Sequence, residues 1–228
     1  MRVVHAGGLE GARAARGTVV VIDVLRAFSV SAYALAGGAR ECRLVGEVSE
    51  AQALALRLPG AVLSAEVEGL PVPGIAISNS PTMVCEADLR GRVLVQRSSS
   101  GTQCMLAASA VADRLYAGSL VVASATARAV READPALVTL VASGADRGHL
   151  EDRVCADYIE ALLCGLPVDL PGLLEPLRRS DRFQAFLDDR WPGFPPSDLE
   201  LALAADHFGF SMPVDRDELG LRLWREDL

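Results

Sequence analysis

The sequence contains no lysine, and all 22 of its basic residues are arginine. This absence excludes mechanisms that depend on lysine: a Walker P-loop, a pyridoxal Schiff base and the haloacid-dehalogenase type of phosphatase. The paired-aspartate motif of the last class is also missing, because Asp23 is followed by Val24 and Leu25. No cysteine has an arginine six positions later, so the thiolate loop of cysteine-dependent phosphatases is absent too. Chemistry on an anionic substrate must therefore use carboxylates, arginines, backbone amides or a metal ion.

Long apolar runs, regular cysteine spacing and excess positive charge are also missing. No apolar run approaches the ~20 residues of a membrane span, and the first residues lack a signal-peptide core. The five cysteines, at positions 42, 85, 104, 155 and 164, lack the spacing of a disulfide framework or a structural zinc site. A net charge of −8 disfavours a nonspecific nucleic-acid or anionic-membrane surface. We expect a cytoplasmic protein with a small-molecule partner; homo-oligomerisation is left open.

Short apolar runs alternate with helical patterns along most of the chain. The runs lie at 18–23, 41–45, 61–65, 92–97, 120–123 and 137–142, and the helical patterns at 27–36, 50–56, 103–113 and 149–163. This alternation predicts an α/β fold: a three-layer α/β/α sandwich with a mainly parallel, or mixed, sheet. The length of 228 residues fits one domain. We expect it to end in a helical segment from about 166 to 228, with helices over 173–187 and 198–207 and a short extended piece over 208–214.

Polar residues follow five of these apolar runs. They are Asp23 with Arg26, Glu66, Arg97, Ser124, and Ser143 with Gly144. Ligands of open α/β sheets bind outside the carboxyl ends of the strands. We therefore predict that these residues converge on one shared site.

Two of these positions have chemistry suited to an anion. Asp23 and Arg26 span a strand-to-helix junction, where they form either a metal and anion site or a plain ion pair. The segment from Arg97 to Thr102 offers a guanidinium, four hydroxyls and a glycine at a helix entrance. Such donors suit phosphate or sulfonate oxygens, and an ordinary serine-capped helix start is the alternative.

Three other segments have both a functional and a structural interpretation. Asn79-Ser80-Pro81 predicts an Asx turn and a helix that starts at the proline. Glu151 and Asp152 open a helix, where the helix dipole favours acidic groups regardless of function. Cys155 lies one turn later, and the neighbouring carboxylates raise the pKa of a thiol there, so we predict a packing residue. His5, His149 and His207 lack metal-ligand spacing and are interpreted as structural or surface residues.

Taken in order, these segments resemble the 2-phosphosulfolactate phosphatase family. The resemblance runs from about Val19 to Val214, closes on the stretch 206–214, and is carried by 22–27, Glu66, 79–81, 97–102, 143–144 and 151–156. It implies a three-layer α/β/α fold and Mg²⁺-dependent hydrolysis of a small phosphate ester that bears a sulfonate and a carboxylate. The implied reaction converts 2-phosphosulfolactate to sulfolactate and phosphate in coenzyme M biosynthesis.

On this interpretation, Asp23 and Glu66 are the metal carboxylates and essential for turnover. Glu151 or Asp152 orients water or acts as a base. The residues assigned to the substrate are Arg26, Asn79, Arg97, Ser98, Ser99, Ser100, Gly101, Thr102, Ser143 and Gly144. Attack by water and attack by a protein nucleophile, Cys155 or Ser98, are both left open.

Two departures from the family pattern keep other functions open. Family members tend to have Gly-Glu-Arg where this chain has Ala65-Glu66-Val67, and Thr-Thr-Asn-Gly-Thr where it has 98–102. An arginine and an amide suited to a sulfonate or carboxylate are therefore missing. The alternatives are a non-catalytic binder of small anions and a metal-dependent phosphatase for a different small acid.

Overall fold

The computed structural model describes residues 1–188, 190–191 and 193–228. Within them the strands are β1 (Arg2–Gly7), β2 (Thr18–Ile22), β3 (Glu41–Leu44), β4 (Val62–Val67), β5 (Leu70–Pro71), β6 (Val93–Arg97), β7 (Arg114–Gly118), β8 (Leu137–Ala142), β9 (Phe210–Ser211), β10 (Pro213–Asp217), β11 (Gly220–Leu223) and β12 (Glu226–Asp227). The α-helices are α1 (Gly8–Ala14), α2 (Ala27–Ala36), α3 (Val48–Arg57), α4 (Pro81–Glu86), α5 (Gly101–Ala108), α6 (Ala123–Glu132), α7 (Leu150–Cys164), α8 (Leu170–Arg179), α9 (Asp181–Leu187) and α10 (Ser197–Ala202).

The main sheet has ten strands in the order β1-β8-β2-β7-β10-β11-β3-β6-β4-β5. The group β1-β8-β2-β7 is parallel throughout, and so is the group β3-β6-β4. The antiparallel hairpin of β10 and β11 joins the two groups. The predicted α/β class and the mainly parallel, mixed sheet are confirmed.

Strand β2 illustrates why the sheet is covered on both faces. All five of its residues are buried. Val19 and Val21 pack into the core that contains α2 and α5, whereas Val20 and Ile22 pack into the core that contains α7 and α9. Because successive side chains of a strand point to opposite faces, a continuous apolar run requires helices on both sides. The result is the predicted three-layer arrangement.

Local signals fixed several helix boundaries. Pro81 occupies the first turn of α4, and the Ser80 hydroxyl accepts a hydrogen bond from the Met83 amide, as the helix-entry prediction requires. Helix α3 begins one residue before the expected Ser49 cap, because Glu47 and Glu50 form a reciprocal capping box.

The C-terminal segment differs from the sequence expectation. It is helical only as far as Ala202, and the expected helix over 173–187 is two helices separated at Ser180. The extended piece expected over 208–214 contains β9 and the start of β10. The position of β10 and β11 in the middle of the main sheet was not predicted. A local pattern does not report this insertion, because the strands on either side of the hairpin, β7 and β3, are remote in sequence.

The apolar run at 120–123 is also not a strand. The strand of this region is β7, and Leu120–Val122 form a turn of 3-10 helix. Edge strand β1 was not predicted. Within the described residues, no helix combines the length and apolar character needed to cross a membrane.

Candidate functional site

A cavity of about 280 Å³ lies at the carboxyl ends of the parallel strands. Seven of the predicted site residues line it: Asp23, Arg26, Glu66, Asn79, Ser98, Ser99 and Ser100. We call the part formed by Asp23, Glu66 and Ser98–Ser100 the strand-end wall. The lining residues that come from the C-terminal segment, Arg182, Phe186, Trp191 and Phe194, form the C-terminal wall. Of the strand-end residues predicted to converge, Asp23, Arg26 and Glu66 line the cavity, whereas Arg97, Ser124, Ser143 and Gly144 do not.

Asp23 follows the last residue of β2 and is buried beside the cavity. Its Oδ1 accepts a hydrogen bond from the Ala27 amide at 2.9 Å, and its Oδ2 accepts one from the Ser143 hydroxyl at 3.1 Å. Gly101 packs so closely that an added Cβ would lie 2.6 Å from Oδ2. Burial raises the pKa of Asp23, while the bond from Ala27 opposes this shift. Hydrogen bonds thus fix the orientation of the carboxylate, but no cationic side chain among the described residues forms an ion pair with it.

Glu66 lies within β4, not after it as the sequence predicted. One oxygen accepts from the Ser99 amide, and the other accepts from the Gly69 amide at 2.6 Å and the Ser99 hydroxyl at 3.0 Å. These bonds connect β4 to the loop that precedes α5. Glu66 therefore shapes the strand-end wall as well as lining it.

The loop from Ser98 to Thr102 folds through reciprocal hydrogen bonds. The Ser98 amide donates to Thr102 Oγ1, and the Thr102 amide donates to Ser98 Oγ, both at 2.9 Å. Thr102 is fully buried, whereas the three serines reach the cavity. The loop leads into α5, so its hydroxyls and amides are arranged at a helix N-terminus.

Arg97 does not line the cavity. Its Nε donates to the Gly46 carbonyl at 3.1 Å, and Nη1 donates to the Glu66 carbonyl and to Ser99 Oγ. The guanidinium thus supports the loop from behind. The contact between Arg97 and the substrate remains a prediction. The position of Arg97 outside the cavity does not favour it.

Asn79 lines the cavity in a left-handed conformation, with φ of 62°. Its Oδ1 accepts a hydrogen bond from Gln96 Nε2 at 2.9 Å. That bond points its amide nitrogen away from Gln96, because the two ends of the amide group are opposed. Asn79 therefore offers two N–H donors beside the loop of serines.

Arg26 is held by the C-terminal segment. Its Nη1 donates to Asp198 Oδ2 at 3.0 Å and to the Gly193 carbonyl at 2.9 Å. The guanidinium lies 3.4 Å from the centroid of the Phe194 ring. The simple ion pair with Asp23 is therefore wrong: the carboxylate partner of Arg26 lies 172 residues away in sequence.

Four further predicted site residues do not line the cavity: Ser143, Gly144, Glu151 and Asp152. Asp152 Oδ1 accepts from the Val24 amide at 2.8 Å, and Oδ2 accepts from the Gly144 amide at 2.9 Å and the Ser143 hydroxyl at 3.3 Å. Asp152 thus joins the ends of β2 and β8. Burial, followed by the charge of Asp23, raises its pKa well above the usual range. Glu151 is fully buried and does not line the cavity either.

Ser124 is the residue whose predicted place is wrong. It lies in α6, where its amide donates to Asp206 Oδ1 at 2.7 Å, and it does not line the cavity. The error follows from the 3-10 turn that was interpreted as a strand. The residue that follows the true strand β7 is Ser119, a buried serine whose hydroxyl contacts Ser29.

Sequence reasoning missed several residues that line the cavity: Leu25, Glu68, Gly69, Arg147, His149 and the whole C-terminal wall. The His149 ring packs directly against the backbone of Gly144. A side chain at position 144 would prevent this contact, because an added Cβ would collide with the ring. Burial, with contributions from Arg182 and Arg147, lowers the pKa of His149 to about 4. His149 is therefore a neutral imidazole at neutral pH. Arg147 and His149 follow Gly144 in the loop after β8. The sequence could have indicated them if the predicted site had included this whole loop and not only Ser143 and Gly144.

One group of potential metal ligands in the described residues has all three ligand atoms within 4.8 Å of one another: His5, Asp157 and Glu160. None of these residues lines the cavity. Asp23 and Glu66 belong to no such group of three. A magnesium ion held by these two carboxylates would complete its coordination shell with water, as Mg²⁺ usually does.

Comparison with known proteins identifies the family of the chain. Residues 6–186 match the family model described as 2-phosphosulpholactate phosphatase. The chain is 31% identical over 201 residues to a probable 2-phosphosulfolactate phosphatase of Bacillus subtilis, which covers 87% of each chain. It is 39% identical over 146 residues to the protein of the same name in Carboxydothermus hydrogenoformans, covering 64% of this chain and 60% of that one. The matched region contains the strand-end wall and extends to Phe186. The chain therefore belongs to the 2-phosphosulpholactate phosphatase family.

Proposed function

We propose that this protein is a Mg²⁺-dependent phosphatase that hydrolyses 2-phosphosulfolactate to sulfolactate and phosphate. The observation that carries the proposal is the cavity itself, which is lined by Asp23, Arg26 and the loop of serines together. Relatives along most of the chain bear the name of this activity. We place the reaction in the cytoplasm, as part of coenzyme M biosynthesis.

The charges around the strand-end wall fit a divalent cation. Asp23, Glu66, Glu151 and Asp152 are all buried, and only Glu151 has an arginine partner among the described residues. The single hydroxyl hydrogen of Ser143 faces both Asp23 Oδ2 and Asp152 Oδ2, so it cannot satisfy both ionised carboxylates. A hard cation with oxygen ligands would relieve this repulsion, and Asp23 and Glu66 would hold it.

The residues that line the cavity would then bind and orient the substrate. Arg26 and the hydroxyls of Ser98, Ser99 and Ser100 would hold the phosphate oxygens, because a phosphate monoester dianion must be neutralised before it is attacked. Bound Mg²⁺ supplies further neutralisation of the phosphoryl group and the leaving oxygen. The neutral imidazole of His149 adds one hydrogen-bonding nitrogen to the wall.

Attack by water fits the site better than attack by Cys155. Cys155 is fully buried in the core between β2 and α7, and it does not line the cavity. Burial, followed by the charge of Asp152, raises the pKa of the thiol well above its usual range. A thiolate nucleophile needs the opposite environment.

One observation favours the alternatives. Val67, where family members tend to have arginine, is 42% exposed and supplies no charge. A sulfonate would then have to be held by other residues, or the substrate would lack one.

The test is release of inorganic phosphate from three esters, with and without Mg²⁺: 2-phosphosulfolactate, 2-phospholactate and isopropyl phosphate. These carry the phosphate with two, one and no further anionic groups. We expect Mg²⁺-dependent release with the highest kcat/KM for 2-phosphosulfolactate. A preference for 2-phospholactate would indicate a phosphatase for another small acid. Binding of 2-phosphosulfolactate by calorimetry without release from any ester would indicate the non-catalytic binder.

A further inference from the structure

Three arginines line the cavity, and they differ in how many donors remain free for a ligand. Arg147 already forms a bidentate ion pair, in which Nη1 and Nη2 donate to the two oxygens of Glu68 at 2.8 and 3.4 Å. Both side chains of this pair are exposed at the rim. Arg26 is buried beside Asp23 and suits the phosphate. Arg182 is the remaining guanidinium, and it comes from α9.

Arg182 lines the cavity and, among the described residues, uses one of its three guanidinium nitrogens. Its Nε donates to Glu151 Oε1 at 3.3 Å. In the part of the chain that the structure describes, neither Nη1 nor Nη2 has an acceptor within hydrogen-bond distance. The guanidinium lies 5.0 Å from the centroid of the Phe186 ring. The contact with the Phe186 ring and the ion pair with Glu151 restrict the Arg182 guanidinium. Its two Nη groups, which form a planar fork of donors, have no acceptor among the described residues.

Glu151 is an unusual partner for a side chain at a cavity wall. It is fully buried, whereas the Arg182 side chain is 26% exposed. Within the described residues its Oε2 has no hydrogen-bond partner. Burial raises the pKa of Glu151, and the charge of Arg182 opposes this shift. A buried carboxylate costs several kcal/mol in desolvation, so this pair is not explained by stability alone.

Arg182 comes from a different element of the fold than the predicted phosphate contacts. Ser98, Asp23 and Glu66 stand on the strand-end wall, whereas Arg182 belongs to the C-terminal wall with Phe186. The planar Nη fork matches a carboxylate, and its two donors also suit a sulfonate. Val67 supplies no charge for such a group, as its exposed aliphatic side chain shows.

We propose that Arg182 is a specificity-determining residue that binds an anionic group of the substrate other than the phosphate. Glu151 is the positioning residue that holds the Arg182 guanidinium in place through Nε. The substrate class is therefore a phosphate monoester with a carboxylate or sulfonate near the ester carbon. This inference rests on the proposed function and deepens it.

The central experiment compares Arg182→Gln with the wild type on the three esters. Loss of a charge-assisted hydrogen bond predicts that KM for 2-phosphosulfolactate rises about 10-fold or more. KM for 2-phospholactate rises by a similar factor if Arg182 binds the carboxylate, and stays within about 2-fold if it binds the sulfonate. KM for isopropyl phosphate should stay within about 2-fold, since that ester has no second anionic group. We expect kcat for each substrate to change little. Arg179→Gln is the matched control, because Arg179 is 79% exposed and pairs with Glu175 on the preceding helix.

Two further variants test the role of Glu151 and guard against misfolding. Glu151→Gln should raise KM for the same esters that Arg182→Gln affects, and the double variant should resemble Arg182→Gln, because coupled residues are not additive. Arg182→Lys keeps the charge but loses the fork, so its KM should fall between those of the wild type and Arg182→Gln. If Arg182→Gln does not fold, Arg182→Lys carries the test.

The inference is overturned if Arg182→Gln raises KM equally for all three esters, or if its effect adds fully to that of Glu151→Gln. Wild-type protein that hydrolyses none of the esters would refute the proposed function separately. In that case sulfolactate binding is titrated by calorimetry. Weaker binding by Arg182→Gln than by the wild type supports the role of Arg182, whereas equal binding or no binding by the wild type contradicts it.

Discussion

The two walls of the cavity are built on different principles. The strand-end wall consists of carboxylates and hydroxyls fixed by nearby backbone amides: Ala27 holds Asp23, and Gly69 and Ser99 hold Glu66. The C-terminal wall consists of an arginine and aromatic rings fixed by packing, with Phe186 stacked on Phe194 at a centroid distance of 4.1 Å. The first wall carries the proposed chemistry, and the second carries the proposed choice of substrate.

Arg26 connects the two walls. It belongs to the loop after β2, yet Asp198 and Phe194 of the C-terminal segment fix its guanidinium. Asp198 also accepts from the Ser80 hydroxyl at 2.7 Å, so the same carboxylate reaches the start of α4. The comparison predicts that damage to the C-terminal segment disturbs the strand-end wall through Asp198.

The largest expected effect comes from Asp23→Asn. Loss of this carboxylate should lower kcat/KM by on the order of 10³-fold, about 4 kcal/mol of barrier, and should weaken Mg²⁺ binding. Steady-state kinetics and Mg²⁺ titration by calorimetry measure the two effects, and circular dichroism checks the fold. Near-normal turnover by this variant would remove Asp23 from the proposed metal site. Glu66→Gln is expected to act in the same direction.

Asp198→Asn tests the connection between the walls. Breaking a buried ion pair leaves Arg26 with an uncompensated charge, so we expect the free energy of unfolding to fall by about 3 kcal/mol. Urea denaturation measures this loss. The control is Glu175→Gln, which breaks the exposed pair with Arg179 and should cost below about 0.5 kcal/mol. Equal losses in the two variants would mean that Asp198 does not hold Arg26 as described.

Gly101→Ala perturbs the strand-end wall without removing a functional group. The new Cβ would lie 2.6 Å from Asp23 Oδ2 and 2.8 Å from Ala27 Cβ, which forces one of them to move. We expect a loss of about 1–3 kcal/mol in unfolding free energy, together with lower turnover. Gly209→Ala is the matched control, since nothing lies within 4 Å of the position that its new Cβ would take. Unchanged stability and turnover in Gly101→Ala would show that Asp23 has room to shift.

The smallest catalytic effect is expected for Cys155→Ala. Because Cys155 is a buried packing residue, kcat should change by less than about 10-fold, or about 1.4 kcal/mol of barrier. The comparison variant is Cys164→Ala, whose thiol is exposed. A drop of several orders of magnitude, or a phosphocysteine trapped by acid quench, would make the thiol the nucleophile.

Much of the strand-end wall was predictable because its residues are defined locally. An apolar run ends at Asp23, and a cluster of hydroxyls stands before α5, so both positions follow from the order of residues along the chain. Arg97 has the same kind of position, yet its guanidinium turns to the carbonyls of Gly46 and Glu66. The sequence indicates where a side chain leaves a strand, whereas competition among nearby acceptors decides its direction.

The sequence by itself determined the α/β class, the start of α4 at Pro81 and the family to which the chain belongs, because these depend on local periodicity and motif order. The tertiary structure alone decided that β10 and β11 enter the middle of the sheet, that Asp198 holds Arg26, and that Arg182 reaches the cavity. Each of these contacts joins segments far apart in sequence. Their free energy comes from burial and pairing between remote groups, and no local pattern records it.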